Sequence, residues 1–115
     1  MSKFDECLER YHKEFTTVLN EKNYDKELLT KVTRGLGPSI YNPDSSKVST
    51  SDQAELDRVK KNFLIKKLGM ADAPELDAAI NEVGEWFGKS NRNKFRAIFY
   101  YKLVQKFNKA SVYNK

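Results

Sequence analysis

The sequence has one cysteine, one histidine and no long run of apolar residues. A single cysteine cannot form a disulfide within the chain, which is typical of proteins from a reducing compartment. No stretch approaches the roughly 18 apolar residues of a membrane-spanning helix. The first residues, MSKFDECLER, also lack the charged and then apolar segments of a secretion signal. We therefore expect a cytoplasmic protein that does not bind membranes.

Residues suited to covalent catalysis or metal binding are also scarce. A serine or cysteine nucleophile normally needs a neighbouring base, and Cys7 and His12 are five positions apart, on different sides of a helix. Carboxylates such as Asp5 and Glu9 come in pairs, whereas a metal site needs several ligands to converge. We predict no catalytic residues, no metal and no cofactor. We interpret Cys7 as a small buried side chain and His12 as a surface one.

Apolar residues recur at helical spacing in five segments, and strand-like alternation is almost absent. The first predicted helix is capped by Ser2. Its apolar face consists of Phe4, Leu8, Tyr11, Phe15, Val18 and Leu19. The second predicted helix begins at Asp25 and ends at Gly35, which we expect to be a left-handed cap.

The third and fourth predicted helices have clear start and stop signals. Asp52 with Glu55 predicts a capping box at the start of the third, which Gly69 ends. Pro74, a residue favoured in the first turn, begins the fourth, and Gly88 ends it. The fourth helix contains no cation, and the residues that form its apolar arc are Leu76, Ala79, Ile80, Val83, Trp86 and Phe87.

The fifth predicted helix, from about Asn91 to Phe107, has apolar residues on nearly all sides and is therefore predicted to be the central buried helix. Only about three residues then connect it to the fourth, so that the two form an antiparallel hairpin. The hydroxyls of Tyr100 and Tyr101 need partners. An unpaired buried guanidinium is costly, so Arg96 should meet an acid, and the acidic fourth helix is the nearest supplier.

Residues 36–51, LGPSIYNPDSSKVSTS, contain two prolines and five serines, which disfavours regular structure. We expect an ordered loop that Ile40, Tyr41 and Val48 hold to the core. Its start is not a phosphate loop, because the expected lysine and hydroxyl are missing. The predicted fold is all-α: a single compact five-helix globular domain over residues 1–115, with a central C-terminal helix and this one long loop.

Charge is distributed unevenly along the chain. Residues 1–57 carry 8 basic and 11 acidic side chains, whereas residues 58–115 carry 13 and 5, and no acid follows Glu85. Such asymmetry indicates either a polyanionic partner or one half of the chain neutralising the other.

Two basic clusters are candidate anion-binding sites. The first basic cluster lies at the start of the predicted fifth helix, where the helix dipole disfavours each cation by roughly 0.3–1 kcal/mol and free backbone N–H groups favour an anion. Its members are Lys89, Ser90, Asn91, Arg92 and Lys94. The second basic cluster comprises Lys60, Lys61, Lys66 and Lys67. In the alternative interpretation these cations pair within the chain, or keep their charged ends in water while their stems pack.

Three blocks of sequence, LLTKVTRGLGPSIYNPDSSKVS, VKKNFLIKKLG and GKSNRNKFRAIFYYKLV, resemble a small bacterial family of about this length, which is catalogued only as a domain of unknown function. The resemblance covers nearly the whole chain. It implies a compact helical protein, and it brings no activity, cofactor, partner or catalytic residue with it.

The sequence favours a non-enzymatic cytoplasmic binding module for an anionic partner, either nucleic acid or an acidic protein surface. The alternative is a structural or protein-interaction module, such as a homodimer, whose charges serve solubility only. A small enzyme that uses the serine-rich loop and the tyrosines is the least favoured class.

Overall fold

Five α-helices form where helical spacing predicts them, within the residues that the computed structural model describes: 2–21, 23–42, 45–88, 91 and 94–113. They are α1 (Lys3–Lys13), α2 (Lys26–Leu36), α3 (Gln53–Arg58), α4 (Pro74–Phe87) and α5 (Arg96–Lys106). π-helical turns extend α1 over Glu14–Val18 and α3 over Val59–Ile65, and 3-10 turns lie at Gly37–Tyr41 and Ala110–Tyr113. The all-α fold class is confirmed.

The predicted start signals are mostly confirmed. Ser2, Asp25 and Asp52 each accept a hydrogen bond from a backbone N–H of the following turn, at 3.0–3.1 Å. Pro74 is the first residue of α4. The capping box is only half formed, because the Glu55 carboxylate binds two arginine side chains instead of reaching back to the helix start.

Glycines with positive φ lie at the predicted ends of two helical segments, Gly69 at 71° and Gly88 at 96°. The predicted end of α2 at Gly35 is wrong, since the helix continues through Leu36. Gly37, with φ of 65°, is its cap instead. A residue in the left-handed conformation readily ends a helix, and of Gly35 and Gly37 it is Gly37 that adopts this conformation.

The predicted start of α5 is also wrong. The helix begins at Arg96, so that eight residues, 88–95, connect it to α4 instead of about three. The two helices are antiparallel nonetheless, because Glu82 pairs with Lys106 and Phe87 stacks on Phe99.

The central position of α5 is confirmed. Seven of its 11 residues are buried: Ala97, Ile98, Phe99, Tyr100, Tyr101, Leu103 and Val104. As predicted, both tyrosine hydroxyls have partners: Tyr100 accepts from Arg96 at 2.9 Å and Tyr101 from the backbone N–H of Asp25 at 2.7 Å. The buried apolar residues form one core cluster, and the radius of gyration is 13.3 Å, close to the ~13 Å of a packed chain of this length.

Val18 was predicted to lie on the buried face of the first helix, yet its side chain is 54% exposed. The cause is the π-helical turn, in which the N–H of Leu19 donates to the carbonyl of Glu14, five residues earlier, at 2.9 Å. This wider turn shifts the residues that follow it off the α-helical face. Phe15, at the start of the turn, remains fully buried.

The loop at 36–51 is described except for residues 43 and 44. Ile40 and Val48 are buried, as predicted, and attach it to the core. Tyr41 was predicted to do the same, but it ends the 3-10 turn and is 45% exposed. Among the described helices none is long and apolar enough to cross a membrane.

Candidate anion-binding surfaces

Three members of the first basic cluster lie outside the described residues: Lys89, Ser90 and Arg92. The other two hold the α4–α5 connection together. The Asn91 amide donates to the carbonyl of Phe87 at 3.2 Å. Lys94 is 5% exposed, and its Nζ donates to the carbonyl of Asn91 at 2.5 Å. In this arrangement the Lys94 ammonium contacts backbone oxygen, contrary to the predicted role at an exposed anion site.

The start of α5 is closed by the loop. The first N–H of the helix, that of Arg96, donates to the carbonyl of Ser46 at 2.7 Å, and the Val48 N–H donates to the carbonyl of Lys94 at 2.8 Å. Phe95 is extended, with ψ of 131°, and takes part in a single antiparallel bridge. This bridge explains the late start of α5. It also means that the first N–H of α5, predicted to be free for an anion, is already bound.

Arg96 joins the loop to two helices. Its Nε donates to the carbonyl of Ser45 at 2.7 Å, Nη1 to the Tyr100 hydroxyl at 2.9 Å, and Nη2 to Glu55 Oε1 at 2.6 Å and to the carbonyl of Lys47 at 3.3 Å. The prediction that Arg96 meets an acid is confirmed, but the prediction that the fourth helix supplies this acid is wrong. The acid belongs to α3 and not to α4, because the side chain expected to cap α3 turns inward.

Glu55 is shared between Arg96 and Arg58, whose Nη2 lies 2.9 Å from Glu55 Oε2. Burial opposes ionisation of this carboxyl, but the hydrogen bonds and positive charges of the two arginines outweigh it and lower its pKa. Burial raises the pKa of Tyr100 despite the neighbouring guanidinium. The group is therefore an ionised carboxylate between two cations, beside a neutral hydroxyl.

The second basic cluster is divided by its surroundings. The Lys60 ammonium lies 3.1 Å from Asp72 and 3.3 Å from Asp77, so this member of the predicted second cluster is paired within the chain. The other three members are exposed: Lys61, Lys66 and Lys67. Across the described part of the chain, none of these three forms an ion pair.

The π-helical turn at Val59–Ile65 determines which of these lysines are neighbours. The N–H of Lys66 donates to the carbonyl of Lys61 at 3.1 Å, an i→i+5 bond. In an α-helix, residues five apart are about 140° apart around the axis, whereas this wider bond places them one turn apart. Lys61 and Lys66 therefore lie one above the other, which α-helical spacing does not predict.

Lys67 lies beside the C-terminal 3-10 turn. Its Nζ is 5.3 Å from the centre of the Tyr113 ring, within cation–π range. Burial raises the pKa of Tyr113 to about 12, so the ring contacted by this lysine is neutral. The contact orients the Lys67 stem while its charge stays exposed.

Elsewhere in the basic half, cations pair within the chain. Lys102 lies 2.8 Å from Glu21 and 4.4 Å above the Trp86 ring, and Lys106 pairs with Glu82 of α4. The Lys102–Glu21 pair joins the basic half of the chain to the acidic half, as in the alternative interpretation, whereas Lys106–Glu82 lies within the basic half.

Cys7 is buried and His12 exposed, as predicted. The His12 ring has a partner that the sequence did not indicate, since its Nδ1 lies 2.5 Å from the Tyr24 hydroxyl. No group of three or more His, Cys, Asp and Glu residues that could hold a metal ion occurs among the residues described.

The family described as "Protein of unknown function (DUF2853)" has a model that matches residues 10–111. The chain belongs to this family. The DUF2853 match includes α2 to α5, both basic clusters and the Arg96–Glu55 pair. It confirms the resemblance carried by the three sequence blocks, and its description assigns no activity. No curated protein matches the chain.

Proposed function

We propose that this protein is a non-enzymatic cytoplasmic binding module for an anionic partner, and that the partner is nucleic acid. The proposal depends on one observation: Lys61, Lys66 and Lys67 are exposed together at the end of the third helical segment, without carboxylate partners in the described residues. We refer to these three residues as the π-turn lysines.

The π-turn lysines are better candidates than the first basic cluster. The described members of that cluster, Asn91 and Lys94, already bond within the α4–α5 connection. Lysine ammonium groups are flexible point charges, which suits phosphates along a backbone better than a ligand of fixed planar geometry. Contacts of this kind supply affinity without reading sequence. We therefore expect weak binding that does not depend on base sequence.

The first test is the salt dependence of binding to labelled double-stranded DNA, measured by fluorescence anisotropy. Each phosphate contact contributes about −0.9 to the slope of log K against log salt, so three contacts predict about −2.7 and a loss of about 40-fold between 50 and 200 mM salt. Absence of binding at 25 mM salt would contradict the proposal.

A matched pair of variants tests the location. In one, the π-turn lysines are changed to glutamine; in the control, the exposed Lys3, Lys13 and Lys26 are changed in the same way. Either variant loses three charges, which lowers the formal net charge from +5 to +2. The first should lose most of its affinity and the salt slope should fall towards zero, whereas the control should keep both. Equal losses would show that only total charge matters.

An acidic protein surface could bind the same lysines. Binding to polyglutamate, which represents such a surface, is therefore compared with binding to DNA. Stronger binding to polyglutamate than to DNA at equal charge concentration would replace nucleic acid by an acidic protein as the partner.

The second candidate is a protein-interaction module that forms homodimers. It is supported by two large side chains exposed to solvent, Val18 at 54% and Tyr41 at 45%. Molar mass from light scattering should then rise with concentration, and Val18→Ser with Tyr41→Ser should return it to that of a 13.4 kDa monomer. A constant monomer mass would exclude this candidate.

A further inference from the structure

A cleft with a volume of about 220 Å³ lies between α1 and α2. Its floor is apolar and consists of Leu8, Tyr24 and Leu29, and Thr30 also lines it. Pockets for drug-sized ligands measure about 300–1,000 Å³. This smaller cleft suits a single small molecule and not a nucleotide or a peptide.

The floor is held in place by contacts with the core and with the rim of the cleft. The Tyr24 ring stacks on the buried Phe15 ring at a centroid distance of 4.2 Å and an angle of 9°. Its hydroxyl lies 2.5 Å from His12 Nδ1, and burial raises the pKa of this hydroxyl, which keeps it neutral. Leu29 is 2% exposed and belongs to the core. The apolar floor therefore exists before any ligand arrives.

The rim carries charges of both signs. Glu9 of α1 and Lys26 of α2 both line the cleft and are exposed, and neither forms an ion pair within the described residues. His12 lies on the same rim. Because its Nδ1 is engaged by Tyr24, Nε2 is the ring nitrogen left for a ligand.

We propose that this cleft binds a small zwitterion with an apolar side chain, such as a free aromatic or branched-chain amino acid. The ligand carboxylate meets the Lys26 ammonium and His12, the ligand ammonium meets Glu9, and the side chain lies on the apolar floor. A ligand with only a carboxylate would face the charge of Glu9 without compensation, and one with only an amine would face that of Lys26. This inference uses no residue of the π-turn lysines and does not depend on the proposed function.

The test uses three probes with the same phenyl ring: L-phenylalanine with both charges, 3-phenylpropionate with the carboxylate alone, and 2-phenylethylamine with the ammonium alone. Backbone amide shifts are followed by NMR during titration of the full chain. Phenylalanine should give saturable shifts around Glu9, Tyr24 and Leu29 with a Kd in the millimolar range, as expected of a ligand of this size. Each single-charge probe should bind about fivefold more weakly, the upper end for an exposed ion pair.

Two variants reverse the preference in opposite directions. Lys26→Gln should make 2-phenylethylamine bind at least as well as phenylalanine, and Glu9→Gln should do the same for 3-phenylpropionate. Among the described residues neither side chain forms an ion pair that the substitution would break, so both variants should keep the amide dispersion of the parent. Lys13→Gln, outside the cleft, is the control and should bind phenylalanine unchanged. Equal affinity for all three probes, unchanged preference in the variants, or no saturable shifts at the cleft would each overturn the proposal.

Discussion

The Arg96 guanidinium lies 2.6 Å from the Glu55 carboxylate, and both side chains are about one-eighth exposed, at 13% and 12%. The pair connects α5 with α3, and the same guanidinium holds two carbonyls of the loop at Ser45 and Lys47. A cation in the first turn of a helix is unfavourable by itself. Here it is compensated by an acid from another helix, so its position follows from tertiary structure and requires no external anion.

Arg96→Met should destabilise the protein by about 3 kcal/mol, because it leaves the buried Glu55 carboxylate with one partner fewer. The free energy of unfolding from urea titration is the measurement. Lys31→Met, which breaks the exposed pair of α2 with Glu27, is the control and should cost less than about 1 kcal/mol. Adding Glu55→Met to Arg96→Met should recover part of the loss. A cost below 1 kcal/mol for Arg96→Met alone would contradict a structural role.

The exposure of Val18 gives a second prediction. Val18→Ala should change stability by less than about 0.5 kcal/mol, as at other exposed positions, whereas Phe15→Ala should cost about 3–5 kcal/mol. Thermal or urea unfolding of both variants provides the comparison. If Val18→Ala cost more than 1 kcal/mol, α1 would continue with α-helical spacing and the π-helical turn would be absent.

Helical spacing was sufficient to predict the five helices, the buried arc of α4 and the central position of α5. It failed at Val18, and it did not predict that Lys61 and Lys66 are neighbours, because a π-helical turn changes the number of residues per turn without a signal in the composition. The partner of Arg96 could not be predicted either, since Glu55 has an equally good local role as a capping residue. Which role it adopts depends on where α3 packs.

In the candidate site, too, some features could be predicted from the sequence and others depend on how the helices pack. Exposure of the π-turn lysines follows from their charge, but their arrangement depends on the wide turn. Lys60 has the same local sequence context as Lys61, yet acids at 72 and 77 neutralise it, and only the packing of α4 against the third helical segment brings them close. Lys94 is buried because the loop pairs with the residues before α5.

Gly84 in α4 offers a test of packing against the loop. A Cβ at this position would lie 3.2 Å from Thr50 Cγ2, closer than most real contacts. Alanine at position 84 should stabilise the helix by roughly 1 kcal/mol because its helix propensity is higher than that of glycine. The close contact of its Cβ with Thr50 Cγ2 should reduce this gain. The effect of Gly84→Ala on stability should therefore be more favourable in a Thr50→Ser background, which lacks Cγ2, than in the parent. The free energy of unfolding in urea is measured for Gly84→Ala against the parent and for the double variant against Thr50→Ser. Equal effects of Gly84→Ala in the two backgrounds would show that the loop moves away from the added methyl group at no cost.

The Glu14 carboxyl should make the protein less stable as pH rises, whereas most carboxylates make a folded protein more stable. Its Oε2 is buried without a partner in the described residues, and burial raises its pKa from 4.5, although the Lys47 charge partly opposes this. A carboxyl whose pKa is higher in the folded than in the unfolded state stabilises the fold at pH values below the unfolded-state pKa. That stabilisation is lost as pH rises through the folded-state pKa. Glu14→Gln should therefore match the parent at pH 4 and exceed it by less than about 1 kcal/mol at pH 7. Glu6→Gln, at an exposed position of α1, is the control in the same urea titrations. A loss of stability in Glu14→Gln at pH 7 would mean that its attraction to Lys47 outweighs its burial.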